Sequence, residues 1–253
     1  MKKILIIGDS CIDKWIYGKC DRLSPDGPVP VLVPIEEKVN TGMAGNVNEN
    51  VLDLIKKLNL DVTVDFITNA TGIVKTRYID KKSNQLIIRV DTGDSEVKHY
   101  NITNLPLDIG YDAVIISDYN KGFLSKSDIQ YICKKYKCNN VFIDTKKQLG
   151  SWINDVDFIK INHIEYNNSI NLFNESDLND KLIVTLGQDG CRYMNTIYPV
   201  DAVQVKDMVG AGDTFISALC VNYLVTSNIH TAIKFANECA TTVVQLKGVN
   251  TIK

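Results

Sequence analysis

Short runs of Ile, Val and Leu alternate along the chain with longer stretches in which apolar residues recur at helical spacing. That alternation predicts an α/β fold, a mostly parallel sheet covered by helices on both faces. The predicted strands are Lys3–Gly8, Val62–Ile67, Ala113–Ser117, Val141–Asp144, Phe158–Ile161 and Leu182–Thr185, with a further one at Ala202–Val205. Between them, Val47, Val51, Leu54, Ile55 and Leu58 mark one helical stripe, and Ile129, Ile132, Cys133 and Tyr136 mark another.

The last third changes character. Phe215, Ala218, Leu219 and Tyr223, followed by Ala232, Ile233, Ala236, Cys239, Ala240, Val243 and Val244, predict two consecutive amphipathic helices packed together on one side of the sheet. Two other segments break the alternation. One, Trp15–Glu37, contains four prolines; the other, Val74–Asp91, is expected to form a hairpin around Lys82-Ser83-Asn84. Both are expected to lie outside the main sheet and to pair into a small lid, spanning about residues 14–37 and 74–92 of a single domain.

Composition narrows the function classes. A chain of 253 residues with a formal net charge of −2 has no basic excess, which argues against nucleic acid and anionic membranes as partners and favours small-molecule chemistry. The seven cysteines are odd in number and scattered, without a C-x-x-C pair, so a reducing, cytoplasmic compartment is expected. Cys133 and Cys138, on or beside a helix, are expected to be structural. The apolar run after Met1-Lys2-Lys3 ends at Gly8-Asp9, too early for a leader, and reads as a first strand. His99, His163 and His230 show no metal spacing, and no P-loop, serine-nucleophile motif or G-x-G-x-x-G fingerprint is present.

The strongest chemical signal is Asp207-Met208-Val209-Gly210-Ala211-Gly212-Asp213-Thr214, at the predicted start of a helix. Glycines let backbone N–H groups approach an anion closely, and the helix N-terminus adds partial positive charge, so Gly210, Ala211 and Gly212 are expected to form an anion hole. Phosphoryl transfer needs such a hole together with a base for the attacking hydroxyl, and Asp213 has the right spacing for that base. On the motif alone a plainer reading stays open, in which Asp213 merely favours a helix start and the glycines serve a tight turn.

Other motifs bear on that choice. They are Gly8-Asp9 with Asp13, Arg22–Val31, Gly42-Met43-Ala44-Gly45-Asn46-Val47-Asn48, Lys75-Thr76-Arg77 and Leu86–Asp91. Ser117–Gly122, Asp144-Thr145-Lys146, Asn162-His163-Ile164-Glu165 and Thr185–Gly190 follow. With the Gly210–Asp213 turn, this ordered series resembles the PfkB/ribokinase family of sugar kinases through nearly the whole chain. Within that family it is most similar to the kinases that phosphorylate heptose 7-phosphate. The resemblance implies a ribokinase-like three-layer α/β/α sandwich with a small β lid, and an ATP-dependent, Mg²⁺-requiring carbohydrate kinase.

Site roles follow from the resemblance residue by residue. Asp13, Gly42 and Asn46 would contact sugar hydroxyls, for which a carboxylate is a natural acceptor. Lys75, Arg77, Arg89 and Lys121 would hold a substrate phosphate, which wants several cations. Asn162 and Glu165 would help place Mg²⁺ through its waters. Asp144, Lys146, Thr185, Gly187, Gly190 and Asn237 would serve the nucleotide side. Read from the residues alone, each keeps a plainer alternative: a loop acid, a helix-start amide, a surface charge or a polar helix position.

The chain is short against the family pattern. Leu58–Lys75 lacks about a strand and a helix, and Glu165–Lys181 lacks most of a helix. Substrate identity therefore stays open between a heptose phosphate and another sugar or nucleoside, with a catalytically degenerate binding protein as the contrasting class. Apolar lid residues such as Trp15, Ile16, Tyr17, Val31 and Val33 need cover, and a homodimer through the lid is expected to supply it.

Overall fold

Ile4 and Ile6 point to one side of strand β1 (Lys2–Gly8), Leu5 and Ile7 to the other, and all four are fully buried. A strand apolar on both faces requires a layer on each side of its sheet. The computed structural model, which describes residues 1–70, 72–106, 110–136, 140–246, 248 and 250–252, supplies both layers.

After β1 the chain runs through β2 (Ser10–Leu23), β3 (Pro30–Met43), α1 (Ala44–Lys57), β4 (Val62–Thr68), β5 (Ile73–Asp80) and β6 (Leu86–Thr92). It continues through β7 (Ala113–Asp118), α2 (Lys126–Lys135), β8 (Val141–Thr145), β9 (Phe158–Asn162), α3 (His163–Ser169) and α4 (Glu175–Leu178). β10 (Leu182–Thr185), β11 (Cys191–Tyr193), β12 (Thr196–Tyr198), α5 (Ala211–Thr226) and α6 (Ile229–Val243) complete it.

The main sheet has the order β12-β11-β10-β9-β8-β7-β1-β4. It is parallel from β10 to β4 and ends in an antiparallel hairpin, β11 and β12. On one face Ile4, Ile6, Ile115, Phe142 and Ile183 pack against α1, α5 and α6. On the other Leu5, Ile7, Ile116, Ile143 and Ile161 pack against α2 and the segment around Trp152 and Ile153. The expected three-layer α/β/α arrangement is therefore present, with the predicted pair α5 and α6 together on one side.

A second sheet, β3-β2-β5-β6, stands apart from the first. The β5–β6 hairpin turns at residues 81–85, around the expected Lys82-Ser83-Asn84, with Asn84 at φ 57°. Within this sheet β2 pairs in register with β5 and β5 with β6. Side chains of paired residues share a face, so Asp13, Lys75 and Asp91 form one row, and Trp15, Arg77 and Arg89 the next.

Two expectations differ in detail. Ala202–Val205 is not a strand: Pro199, without an N–H, follows β12, and the chain then docks on the end of α6, where Lys206 and Asp207 N–H donate to the Val244 carbonyl at 2.8 and 3.2 Å. Leu58 lies just past α1 and is exposed, so the stripe ends at Leu54 and Ile55. Cys133 is buried in α2, Cys138 lies outside the described residues, and the other cysteines are free thiols. No helix among the described residues is long and apolar enough to cross a membrane.

Candidate active site

Two helix starts face each other across the C-terminal ends of the central strands. α1 begins directly after β3, with Met43 at φ 57° making the reversal and Ala44 N–H donating to the Asp9 carbonyl at 2.9 Å. α5 begins after Gly210, whose φ of 85° lies in the left-handed region that glycine adopts without strain. Buried polar bonds lock the two helices together: Thr214 Oγ1 donates to Asn50 Oδ1 at 3.0 Å, and Ser217 Oγ to the Val47 carbonyl at 3.1 Å.

This packing brings Asn46 and Asp213 together. Asn46 Nδ2 donates to Asp213 Oδ2 at 2.9 Å, and the Tyr119 hydroxyl, from the loop after β7, donates to Oδ1 at 2.6 Å. Asp213 is 4% exposed, and burial pushes its pKa up to about 6. Its two hydrogen bonds oppose that rise; the Asp144 charge adds to it and the Lys160 charge opposes it. Such a carboxylate is ionised near neutrality, yet is far more basic than an ordinary aspartate. The N–H groups of Gly212 and Asp213 lie in the first turn of α5, where amides have no intrahelical acceptor and the helix dipole favours an anion, whereas Ala211 N–H turns back to the Met208 carbonyl at 3.3 Å.

Beneath Gly212 lies a charge cluster. Lys160 Nζ donates to Asp144 Oδ2 at 2.6 Å, both side chains are buried, and a Cβ on Gly212 would come within 2.7 Å of that ammonium. Burial alone would raise the Asp144 pKa, but the Lys160 and Lys146 charges outweigh it and hold the carboxyl below its ordinary range. Lys146 Nζ reaches Asp144 Oδ1 at 3.4 Å and Glu165 Oε1 at 2.6 Å, and lies 5.2 Å from the centre of the Tyr119 ring.

Asn162 and Glu165 form a reciprocal cap on α3. Asn162 Oδ1 accepts from Ile164 and Glu165 N–H at 2.9 Å each, and Glu165 Oε2 accepts from Asn162 N–H at 2.8 Å. Among the described residues no three His, Cys, Asp or Glu side chains gather as a metal-ligand cluster. The donor set here fits an ion that keeps its water shell, because Glu165 offers carboxylate lone pairs beyond those its two bonds use.

Beside the α5 start opens a cavity of about 830 Å³. Thr185, Gly187, Gly190 and Asn237 line it, together with Ala211, Gly212 and the apolar side chains of Val203, Val205, Phe215, Ala240 and Val244. It is therefore a largely apolar slot that reaches the first residues of α5, Ala211 and Gly212. Asp144 and Lys146 do not line it; they sit in the charge cluster below.

On the lid side, Arg77 Nη1 meets Asp13 Oδ1 at 2.5 Å, and its guanidinium lies 5.2 Å from the Trp15 ring centre. Gly42 is the residue that leaves room for the Asp13 carboxylate, which a Cβ there would strike. Arg89 grips Asp91 with two bonds, at 2.7 and 2.8 Å, and Lys121 pairs with Asp94. His163 is exposed at the start of α3.

Sequence reasoning left Tyr119 and Lys160 without roles. Tyr119 lies inside the Ser117–Gly122 motif, but nothing local shows that its hydroxyl reaches a residue 94 positions away. Lys160 did carry a signal: a lysine inside an apolar strand is rarely buried unless paired, and its register partner on β8 is Asp144.

Comparisons with known proteins bear on the family and the fold. The profile described as pfkB family carbohydrate kinase matches residues 39–253. The bifunctional protein HldE of Helicobacter acinonychis (strain Sheeba) is 31% identical over 297 residues, covering 98% of this chain and 64% of the relative. HldE of a Nitratiruptor species is 30% identical over 294, covering 98% and 63%. The chain thus spans less than two thirds of these relatives, and alignments longer than its 253 residues show that the relatives carry segments it lacks. Among solved structures, Thermotoga maritima ribokinase superposes with a TM-score of 0.72 at 18% identity, covering 98% of this chain and 95% of that one. Escherichia coli phosphofructokinase-2 gives 0.71 at 15%, covering 99% and 95%.

Proposed function

The chain belongs to the pfkB family of carbohydrate kinases, and on that premise we propose that it transfers the γ-phosphoryl group of ATP to a sugar phosphate, with the anomeric hydroxyl of heptose 7-phosphate as acceptor. The observation that carries this reading is the Asp213 carboxylate, buried and hydrogen-bonded at the α5 N-terminus, next to Ala211 and Gly212, which line an apolar cavity of about 830 Å³. ATP lies in that cavity, with its base among the apolar residues and near Asn237, and its phosphates toward Gly210, Ala211 and Gly212. The sugar lies under the lid, against Asp13, Gly42 and Asn46.

In the transfer step Asp213 takes the proton of the acceptor hydroxyl as its oxygen forms the new bond to the γ-phosphorus. The bond from that phosphorus to the bridging oxygen breaks, and ADP leaves with the electron pair. The first amides of α5, with Lys160 beneath Gly212, take up charge on the moving group. Asn162 and Glu165 would hold Mg²⁺ through its waters, and the ion would add to the neutralisation of the phosphates. Lys146 ties Glu165 to Asp144 and so fixes this end of the cleft.

Of the four cations on this side, Arg77, Arg89 and Lys121 are paired with carboxylates, so Lys75 supplies most of the positive charge for a phosphorylated acceptor, and the heptose-kinase-like motifs of the sequence favour a heptose among such acceptors. Trp15 is covered within the chain and of the expected set only Val33 is exposed, but the lid sheet also leaves Ile35, Val39, Ile88 and Val90 exposed, which favours a homodimer covering them. Free thiols and mild acidity suit the cytoplasm. The test is ATP turnover over a panel of sugars and sugar phosphates: heptose 7-phosphate is expected to give the highest kcat/KM, and Asp213→Asn to abolish transfer while nucleotide binding persists. Parent-level turnover in that variant would refute the assigned base.

A further inference from the structure

Asp213 does not stand free in its pocket. One carboxylate oxygen is taken by Asn46 at 2.9 Å and the other by Tyr119 at 2.6 Å, so two donors from different elements fix the plane of the group. A carboxylate oxygen has two lone pairs, which leaves each oxygen able to accept one more donor, such as an acceptor hydroxyl.

Tyr119 is itself held on three sides. Its main-chain N–H donates to Asp9 Oδ2 at 2.8 Å, its ring lies 5.2 Å from the Lys146 ammonium, and its hydroxyl ends on Asp213. Lys146 in turn bonds Glu165 at 2.6 Å. The tyrosine thus bridges the proposed base and the charge cluster on the nucleotide side, and it does so from a strand-end loop, not from α5 or α1.

We infer that Tyr119 is a positioning residue for phosphoryl transfer, whose hydroxyl orients the Asp213 carboxylate and favours its ionised, basic form. The inference rests on Asp213 being the base.

Charged and titratable groups face Asp213 from each element packed on it. Asp144 from β8 disfavours the anion, whereas Lys160 from β9 and Lys146 from the loop after β8 favour it. Cys11 of β2 also faces it, but burial, and then the Asp13 charge, push that thiol up to about 12, so it stays neutral at working pH. Tyr119 is likewise held protonated, first by burial and then by the Asp213 charge, and so acts only as a donor. Against this background the Tyr119 bond is a short one, made to a charged acceptor from which water is excluded.

The experiment is the pH profile of kcat/KM for Tyr119→Phe, because its acid limb reports the base in the free enzyme. Loss of a hydrogen bond to a buried carboxylate is expected to move that limb to higher pH by roughly one to two units. Site-specific replacement of Tyr119 by 3-fluorotyrosine keeps the shape, strengthens the donor and is expected to move the limb to lower pH. This arm decides the matter if the Phe variant does not fold. Acid limbs superimposable on the parent's, with only a uniform fall in rate, overturn the inference. Asp213→Asn separates the two levels: if it retains turnover, the base assignment fails. If it is inactive while the Tyr119 limbs do not move, only the role of Tyr119 fails.

Discussion

Lys160 and Asp144 are register partners on adjacent strands, and their side chains form a buried ion pair at 2.6 Å directly beneath Gly212. A buried pair contributes little net stability, but breaking it leaves an uncompensated charge. Lys160→Met is therefore expected to lose roughly 3 kcal/mol of folding stability in urea denaturation. The double variant Asp144→Asn with Lys160→Met should recover most of that loss yet stay inactive, because the cation under the Gly212 amide is gone. A double variant that regains turnover would show that Lys160 serves the fold alone.

That pair marks where the sequence stops being readable. Strands β1, β7, β8, β9 and β10 were legible because buried parallel strands appear as near-continuous apolar runs, whereas β4, the half-exposed edge strand, showed itself by the alternation of Val62, Val64 and Phe66 with polar residues. The pairing of α5 with α6 was legible because two stripes at helical spacing follow each other with a short connection. Gly210–Asp213 stood out because its glycines and acid sit together. Contacts between distant segments were not legible: Tyr119 to Asp213 and Lys160 to Asp144 depend on which strands become neighbours, and the order β9-β8-β7 is a property of the sheet. Ala202–Val205 misled because its apolar alternation suits the wall of a cavity as well as the face of a sheet.

Burial of Asp213 has a consequence for stability as well as for catalysis. Its folded pKa of about 6 lies above the ordinary aspartate value of 3.8, so the native state binds this proton more tightly than the unfolded state does. The corresponding stabilisation is complete below about pH 4 and is lost as pH rises through 6. Asparagine at position 213 never ionises. Asp213→Asn is thus expected to match the parent near pH 4 and to exceed it at pH 8 by up to about 3 kcal/mol. Thermal melts from pH 4 to 8 check this, and parallel curves for the two proteins would contradict it.

The lid supplies the last prediction. Asp13, Lys75 and Asp91 form one row across β2, β5 and β6, and Arg77 and Arg89 stand in the next row on the same face. Three cations thus meet two carboxylates, and Arg77 and Arg89 are already committed to Asp13 and Asp91. Lys75 carries the charge left over, on the face that also presents Asp13 for sugar hydroxyls. A phosphate on the acceptor is expected to draw mainly on Lys75, through one charge-assisted contact. Lys75→Met should therefore raise KM for a sugar phosphate by roughly 10- to 100-fold with kcat little changed. KM for the same sugar without its phosphate should not move, since that acceptor has no anion to lose. Steady-state kinetics on the matched pair of acceptors provide the check, and equal changes in both KM values would place the phosphate elsewhere on the lid.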